Sequence, residues 1–317
     1  MRIGEIPMID ENLKKLQTIL KENNIGAYIV PTNDYHSSEY VSPYFKERVF
    51  LTGFTGSQGT VVISKEETYL FVDGRYFIQA ENEIKNTSII LMKIGEPGVP
   101  IIDELLNQVI QDGENLGINA KYVSIRDGKK YEELVSRKHG KLLDVDLVND
   151  LWINRPSLPK ERIWILDDKY NGENIAHKLS RIREVMKKEK CNLHLVTVLD
   201  DIAWILNLRG NDIPCNPVFL SYLLIKDNNA ILFVDEDKIN DEVREYLKNN
   251  NIEIKGYDEI GEALTKLHGR ILLSEEKVNY YLKSHLNCEI IHQENPSYLF
   301  KAVKNDVEVN NLKLAHI

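Results

Sequence analysis

The sequence predicts a mixed α/β protein built from two copies of one unit. Three observations carry this. Amphipathic helical stripes alternate with short apolar runs of strand length. In each half, two such runs are joined by a short polar turn and read as a hairpin. The order helix, strand, hairpin then occurs twice along the chain. Hairpins interleaved with helices call for mixed rather than purely parallel sheets. A chain of 317 residues also exceeds what one core usually covers, which fits about two domains.

In the first half, Leu13, Leu16, Ile19 and Leu20 share one helical face behind Asp10, which reads as an N-cap. Asn23, Asn24 and Gly26 end that helix, and residues 27–30 form a buried strand. Strands are expected at 49–51, 60–64 and 68–72, the last two joined as a hairpin through Lys65, Glu66 and Glu67. A helix over 76–84, a strand over 88–92 and a helix over 101–110 follow. In the second half, Ile175, Leu179, Ile182 and Met186 repeat the helical stripe, and residues 193–198 repeat the strand. Residues 222–225 and 230–234 repeat the hairpin around a polar 226–229 turn. Both hairpins close on the same tripeptide, Phe71-Val72-Asp73 and Phe233-Val234-Asp235. The stretch 154–159, with two prolines, offers little to a helix or strand and reads as the joint. This places one domain at 1–155 and a second at 156–300. Residues 301–317 fit neither copy. They read as a helix starting near Asp306 that stops at His316-Ile317 without a C-cap, as if the chain were cut inside it.

Composition excludes several classes. A net charge of −9 argues against a nucleic-acid partner, which needs a basic face. Cys191, Cys215 and Cys288 are odd in number and far apart, forming neither a disulfide framework nor a CxxC metal knuckle, which points to a reducing cytosol. The longest apolar stretch, 218–225, falls far short of the roughly 20 residues that span a bilayer. The N-terminal MRIGEIPMIDENLKK has no apolar core of a secretory signal. A soluble cytoplasmic protein without a membrane partner is the expectation.

Few residues gather into chemistry. The eight histidines are scattered singly, no HExxH occurs, and no His, Asp and Glu stand together at ligand spacing. His36 and Glu39, three apart in NDYHSSEY, come nearest, and such a loop histidine reads as a hydrogen-bonding or surface residue. Asp200-Asp201 follows a strand and reads as the cap of a helix over 202–206. GFTGSQGT misses the serine-hydrolase elbow, because Thr55 stands where a glycine is needed. It misses the phosphate loop too, since a strand follows where that loop needs a helix. Its glycines are expected to allow positive φ in a tight connection or the close approach of another backbone. There remains Asp73-Gly74-Arg75-Tyr76, at a strand-to-helix turn. Asp73 reads as a helix cap. Arg75 is either an ordinary solvent-facing arginine or a planar fork able to hold a carboxylate or carbonyl.

Taken together, four stretches resemble the three-domain cytosolic Xaa-Pro aminopeptidases (aminopeptidase P, peptidase family M24). They are AYIVPTNDYHSSEYVSPYFKERVFLTGFTGSQGTVVI, YLFVDGRYFIQA, DDIAWILNLRGNDIPCNPVFLSYLLI and AVKNDVEVNNLKLAHI, in the family's order and along nearly the whole chain. The resemblance implies two tandem creatinase/prolidase N-terminal-like (ribonuclease H-like) domains, α/β with mixed sheets flanked by helices. It implies that 301–317 opens the first helix of a catalytic pita-bread domain. That domain would hold two divalent metal ions, manganese by family habit, on two aspartates, a histidine and two glutamates, none of which lies in this chain. The reaction implied is metal-assisted removal of the N-terminal residue from peptides with proline second. This chain would have no catalytic and no metal-ligating residue and would be inactive alone. It would supply substrate access, grip and assembly as part of a homodimer. The arginine of the family's DGRYF motif contacts the peptide, which makes Arg75 the substrate-binding candidate. Asp73 would cap or orient, and Tyr35 and His36, with Glu39, would line the same entrance. Two other readings stand beside it. One is a stand-alone peptide- or protein-binding module of the same fold. The other is a prolidase- or creatinase-like enzyme, which the doubled unit disfavours because those relatives carry a single copy.

Overall fold

A computed structural model describes residues 6–317, and the described chain divides into two compact units. One comprises the residues up to Tyr35 together with Glu39–Ser157; the other comprises His36–Ser38 together with Leu158–Ile317.

The first unit carries strands β1 (Ile25–Pro31), β2 (Thr60–Ser64), β3 (Thr68–Val72), β4 (Ile89–Lys93), β5 (Asn115–Ile118) and β6 (Leu142–Asp144). Its helices are α1 (Ile6–Glu22), α2 (Glu47–Thr52), α3 (Phe77–Glu83), α4 (Ile102–Val109) and α5 (Ile125–Ser136). The strands form one sheet in the order β4-β3-β2-β1-β5-β6. β1, β2 and β3 pair antiparallel, while β4, β5 and β6 join parallel. The central strands are buried along almost their whole length, so they read as continuous apolar runs rather than as alternation. Leu13, Leu16 and Leu20 of α1 pack with Tyr28, Val30, Val61, Ile63, Leu70 and Val72 in one core. Each fully buried leucine there contributes about 1.5–3 kcal/mol.

The second unit carries β7 (Trp164–Ile165), β8 (Leu193–Val196), β9 (Leu208–Arg209), β10 (Ser221–Lys226), β11 (Ala230–Val234), β12 (Ile252–Lys255), β13 (Arg270–Leu273) and β14 (Glu289–His292). Its helices are α6 (Asp168–Asn171), α7 (Ile175–Lys188), α8 (Leu199–Leu206), α9 (Asp241–Asn249), α10 (Ile260–Thr265), α11 (Tyr280–Ser284), α12 (Pro296–Ala302) and α13 (Asp306–Ala315). The sheet order is β12-β11-β10-β8-β13-β14, with the same senses of pairing as in the first unit. β7 and β9 form a separate small ribbon. Position for position, β8 stands where β1 stands and the β10–β11 hairpin where β2–β3 stands. The repeated tripeptide closes the same strand in both sheets. Ile175, Leu179, Ile182 and Met186 are all buried, as one helical face requires.

Three local expectations change. Residues 49–51 are helical, within α2, because Gly53 turns left-handed at φ 67° and closes the helix on Val49. The Thr52 hydroxyl further donates to the Arg48 carbonyl at 2.8 Å. A three-residue apolar run fits either period, and here the glycine stop decides. Asp10 lies inside α1 rather than at its cap, and its carboxylate instead accepts the Ser88 N–H and hydroxyl, each at 2.9 Å. The first residues of the N-terminal segment read above lie outside the described residues. Gly26 sits within β1, where a Cβ would stand 2.6 Å from Glu114 Oε2 and 3.1 Å from Ile110 Cα; the left-handed turn falls at Asn24, φ 54°. Residues 155–163 hold no helix or strand. Among the described residues no helix is long and apolar enough to cross a membrane.

Candidate functional site

The site grows from the end of β3. After Val72 the chain reverses, and the Asp73 carbonyl accepts the Tyr76 N–H at 2.9 Å, a β-turn with Gly74 and Arg75 at its tip. The helix that follows begins at Phe77 with Tyr76 at its N-cap and no side-chain cap. Asp73 is therefore not the helix cap. It lies too far upstream, and its carboxylate is engaged within the turn. Oδ1 accepts the Arg75 backbone N–H at 3.0 Å and Nε–H at 2.9 Å, and Oδ2 accepts Nη2–H at 2.9 Å. This is a two-point grip on the guanidinium by a residue two positions away. The hydrogen bonds from Arg75 hold the Asp73 carboxyl below its ordinary value, and Asp73 in turn raises Arg75. Glu39 adds a smaller field of the same sign on the arginine.

The grip leaves much of the arginine available. Of its five N–H donors, two are taken by Asp73, and its side chain is 68% exposed. The guanidinium also lies 5.2 Å from the centre of the Tyr76 ring. The result is a cation held in one orientation with donors turned outward.

The GFTGSQGT loop braces this turn. The Ser57 hydroxyl and the Tyr76 phenol are 2.6 Å apart, and Tyr76 stands edge-on to Phe54 at 5.8 Å. Thr55 donates its N–H and hydroxyl to Glu83 of α3 at 2.8 and 2.6 Å. Buried Arg48 of α2 donates to the Phe54 carbonyl at 2.7 Å, to the Gly56 carbonyl, and to Thr32 Oγ1 at 2.6 Å. Burial lowers Arg48 to about 10, so it keeps its charge at neutral pH. The glycines meet the expectation in part: at Gly59 a Cβ would stand 3.1 Å from the Phe71 backbone carbonyl oxygen, whereas Gly56 is crowded by rings and not by backbone. Gly53 takes positive φ, and at Gly56 a Cβ would stand 2.3 Å from the Phe54 ring and 2.8 Å from Tyr76.

The remaining sequence candidates do not join this surface. Tyr35 is buried edge-on among Phe45, Tyr122 and Tyr44, with ring centres 4.9, 5.1 and 6.5 Å away, and burial pushes its phenol up. Beside this cluster lies a buried ion pair, Arg155 with Glu47 at 2.7 Å. Desolvation raises Glu47 to about 7 against the pull of Arg155. His36 is fully buried in the second unit, its ring nitrogens 3.0 Å from the Thr197 carbonyl and 2.6 Å from the Tyr257 hydroxyl. Neither side chain is presented to a ligand. Asp200 and Asp201 do not cap α8, which starts at Leu199 behind Val198. Lys301 bridges both carboxylates, at 2.7 Å from Asp201, and Asn295 adds a bond to Asp201 at 3.0 Å. Among the described residues no group of three or more His, Cys, Asp or Glu is placed to hold a metal ion. Arg48 was not foreseen as the brace, because nothing in FKERVF marks one charge for burial.

Comparison with known proteins adds two matches to family models described as creatinase/prolidase N-terminal domain, over residues 12–151 and 154–308. Aminopeptidase P2 of Arabidopsis thaliana is 34% identical, over 98% of this chain and 49% of its own length. Xaa-Pro aminopeptidase 1 of Dictyostelium discoideum is 34% identical, over 98% of this chain and 51% of its own. Among solved structures, X-prolyl aminopeptidase from Caenorhabditis elegans, a cytosolic enzyme with a di-nuclear active site, superposes with a TM-score of 0.90. It is 29% identical and covers 99% of this chain and 54% of that one. The chain spans about half the length of the relatives it matches.

Proposed function

The chain belongs, through both of its halves, to the creatinase/prolidase N-terminal domain family, and on that premise we propose that it is the N-terminal, non-catalytic region of a metal-dependent Xaa-Pro aminopeptidase. The observation that carries this reading is the alignment, which takes in 98% of this chain but only about half of relatives bearing that activity in their names. In this reading residues 1–155 and 156–300 are the two creatinase-like domains, and 301–317 opens the catalytic one. The described residues gather no metal set, so the two divalent ions, manganese by family resemblance, would be held outside them. When bound there, such ions supply a nucleophilic hydroxide and polarise the scissile carbonyl. A cytoplasmic location, like that of the cytosolic Caenorhabditis elegans enzyme, and assembly as a homodimer complete the proposal.

The part of this chain in the reaction is grip. Arg75, oriented by Asp73, offers its outward donors to a carbonyl or carboxylate of a peptide with proline second. The braced loop keeps that donor array in place. The test has two arms. The 317-residue protein is expected to show no Mn-stimulated cleavage of a fluorogenic Xaa-Pro peptide, and cleavage by it would overturn the proposal. In the longer natural gene product, Arg75→Ala is expected to raise KM about tenfold, with Arg75→Lys recovering part of the loss. A KM within twofold of the parent would remove Arg75 from the substrate site. A natural product with the mass of this chain alone would favour the stand-alone binding module instead.

A further inference from the structure

The second unit holds a cavity of ≈ 320 Å³ walled by α6, α7, α8, β9 and α13. That volume lies at the lower end of what small-molecule sites occupy. Four cations, Lys178, Arg209, Lys301 and Lys304, line it against one carboxylate, Glu308. Among the described residues only Lys301 of these cations is ion-paired, to Asp200 and Asp201.

The donors on its wall outnumber their partners. Lys178 is almost fully buried; its Nζ donates to the Trp204 carbonyl at 2.8 Å and Asn207 Oδ1 at 2.6 Å, leaving one N–H of three. The same Nζ lies 4.2 Å from the centre of the Trp204 ring. Arg209 spends Nη1 on the Ala203 and Leu208 carbonyls at 2.9 and 2.8 Å, while its Nε and Nη2 donate to no described residue. Burial draws Lys178 down to about 8, which still leaves it mostly charged at neutral pH. Glu308 acts on Lys178 and Arg209 through space but accepts no hydrogen bond from either; its Oε2 accepts the Asn305 N–H at 3.0 Å within the cap of α13. Leu166, Tyr170, Leu312 and Ala315 also line the cavity and give it apolar surface.

We propose that this cavity binds a small organic carboxylate, its charged end toward Arg209, Lys178 and Lys304 and its apolar body against Leu166, Tyr170 and Leu312. The site is separate from the Arg75 turn, and the proposal does not depend on peptidase activity. Benzoate is the probe, titrated into the 317-residue protein by calorimetry and by tryptophan fluorescence. Saturable binding in the low millimolar range is expected. Benzamide, the neutral isostere, should bind about tenfold more weakly, and inorganic phosphate, lacking an apolar body, weaker than benzoate. Arg209→Met should weaken benzoate about tenfold, and Glu308→Gln should tighten it. Because Arg209 also holds two backbone carbonyls, Lys304→Ala serves beside it as an exposed charge whose loss leaves the fold intact; it should weaken benzoate severalfold. No saturation, equal affinity for benzamide or phosphate, or indifference to both Glu308→Gln and Lys304→Ala would each overturn the proposal.

Discussion

Arg75 shows how a charge is aimed without being buried. An ion pair this exposed is screened by water and adds little to stability, so the Asp73 grip matters for pose more than for folding. Asp73→Asn should accordingly leave thermal unfolding nearly unchanged. In the full enzyme proposed above it should raise KM, by less than Arg75→Ala does. A KM unchanged by Asp73→Asn, measured beside an intact melting curve, would show that the grip does not orient the arginine for substrate. His194 is the opposite case, fully buried between β8 and β13, where Nδ1–H donates to the Leu272 carbonyl at 3.0 Å and Nε2 has no partner. Desolvation lowers it from 6.5 to about 4, so the folded state refuses a proton that the unfolded state accepts. Its contribution is present in full above pH 6.5 and is lost as pH falls from there through 4. Between pH 7 and 4.5, urea midpoints should fall by an amount worth roughly 2 kcal/mol more in the parent than in His194→Gln. Parallel pH profiles for the two would contradict this.

At the level of elements, the braced loop depends on glycine space. A methyl group at Gly56 would collide with Phe54 and Tyr76, the ring that ties the loop to the Arg75 turn. Gly56→Ala should cost about 1–3 kcal/mol in denaturant unfolding and loosen the turn, seen as faster amide exchange at Arg75 and Tyr76. An unchanged midpoint with unchanged exchange would show that the rings move aside freely. The hairpins illustrate the complementary rule. β2–β3 and β10–β11 need only a polar turn between apolar runs, and both occupy the same place in their sheets.

For the whole molecule, duplication accounts for the architecture. One pattern of hairpin plus parallel flanks, written twice, yields two sheets of six strands with the same order. Among the described residues no group of three or more His, Cys, Asp or Glu is placed to hold a metal ion within either sheet. Structural metal sites tie folding to metal, and any ligand that binds only the folded state raises Tm. The 317-residue protein should therefore melt at the same temperature in 1 mM EDTA and in 1 mM manganese chloride. A rise of several degrees with manganese would reveal a site within these residues.

What the sequence by itself determined is what is local to it. The buried stripe of Ile175 to Met186, both hairpins, the helix after Tyr76, the glycine-dependent loop and the helix starting at Asp306 all follow from periodicity and turn chemistry over a few residues. Relatives' motifs added the family and singled out Arg75. Tertiary structure alone decided who meets whom. It drew Asp10 to Ser88 instead of a cap, turned 49–51 into helix through the stop at Gly53, and buried Arg48 as a brace. It gave Asp201 to Lys301 and Asn295, a hundred positions away, and sank Tyr35 and His36 beneath rings supplied by distant strands and turns. The physical reason is one of range. Backbone propensity acts between near neighbours, whereas burial and the pairing of buried charge are set only when distant segments close on each other and exclude water.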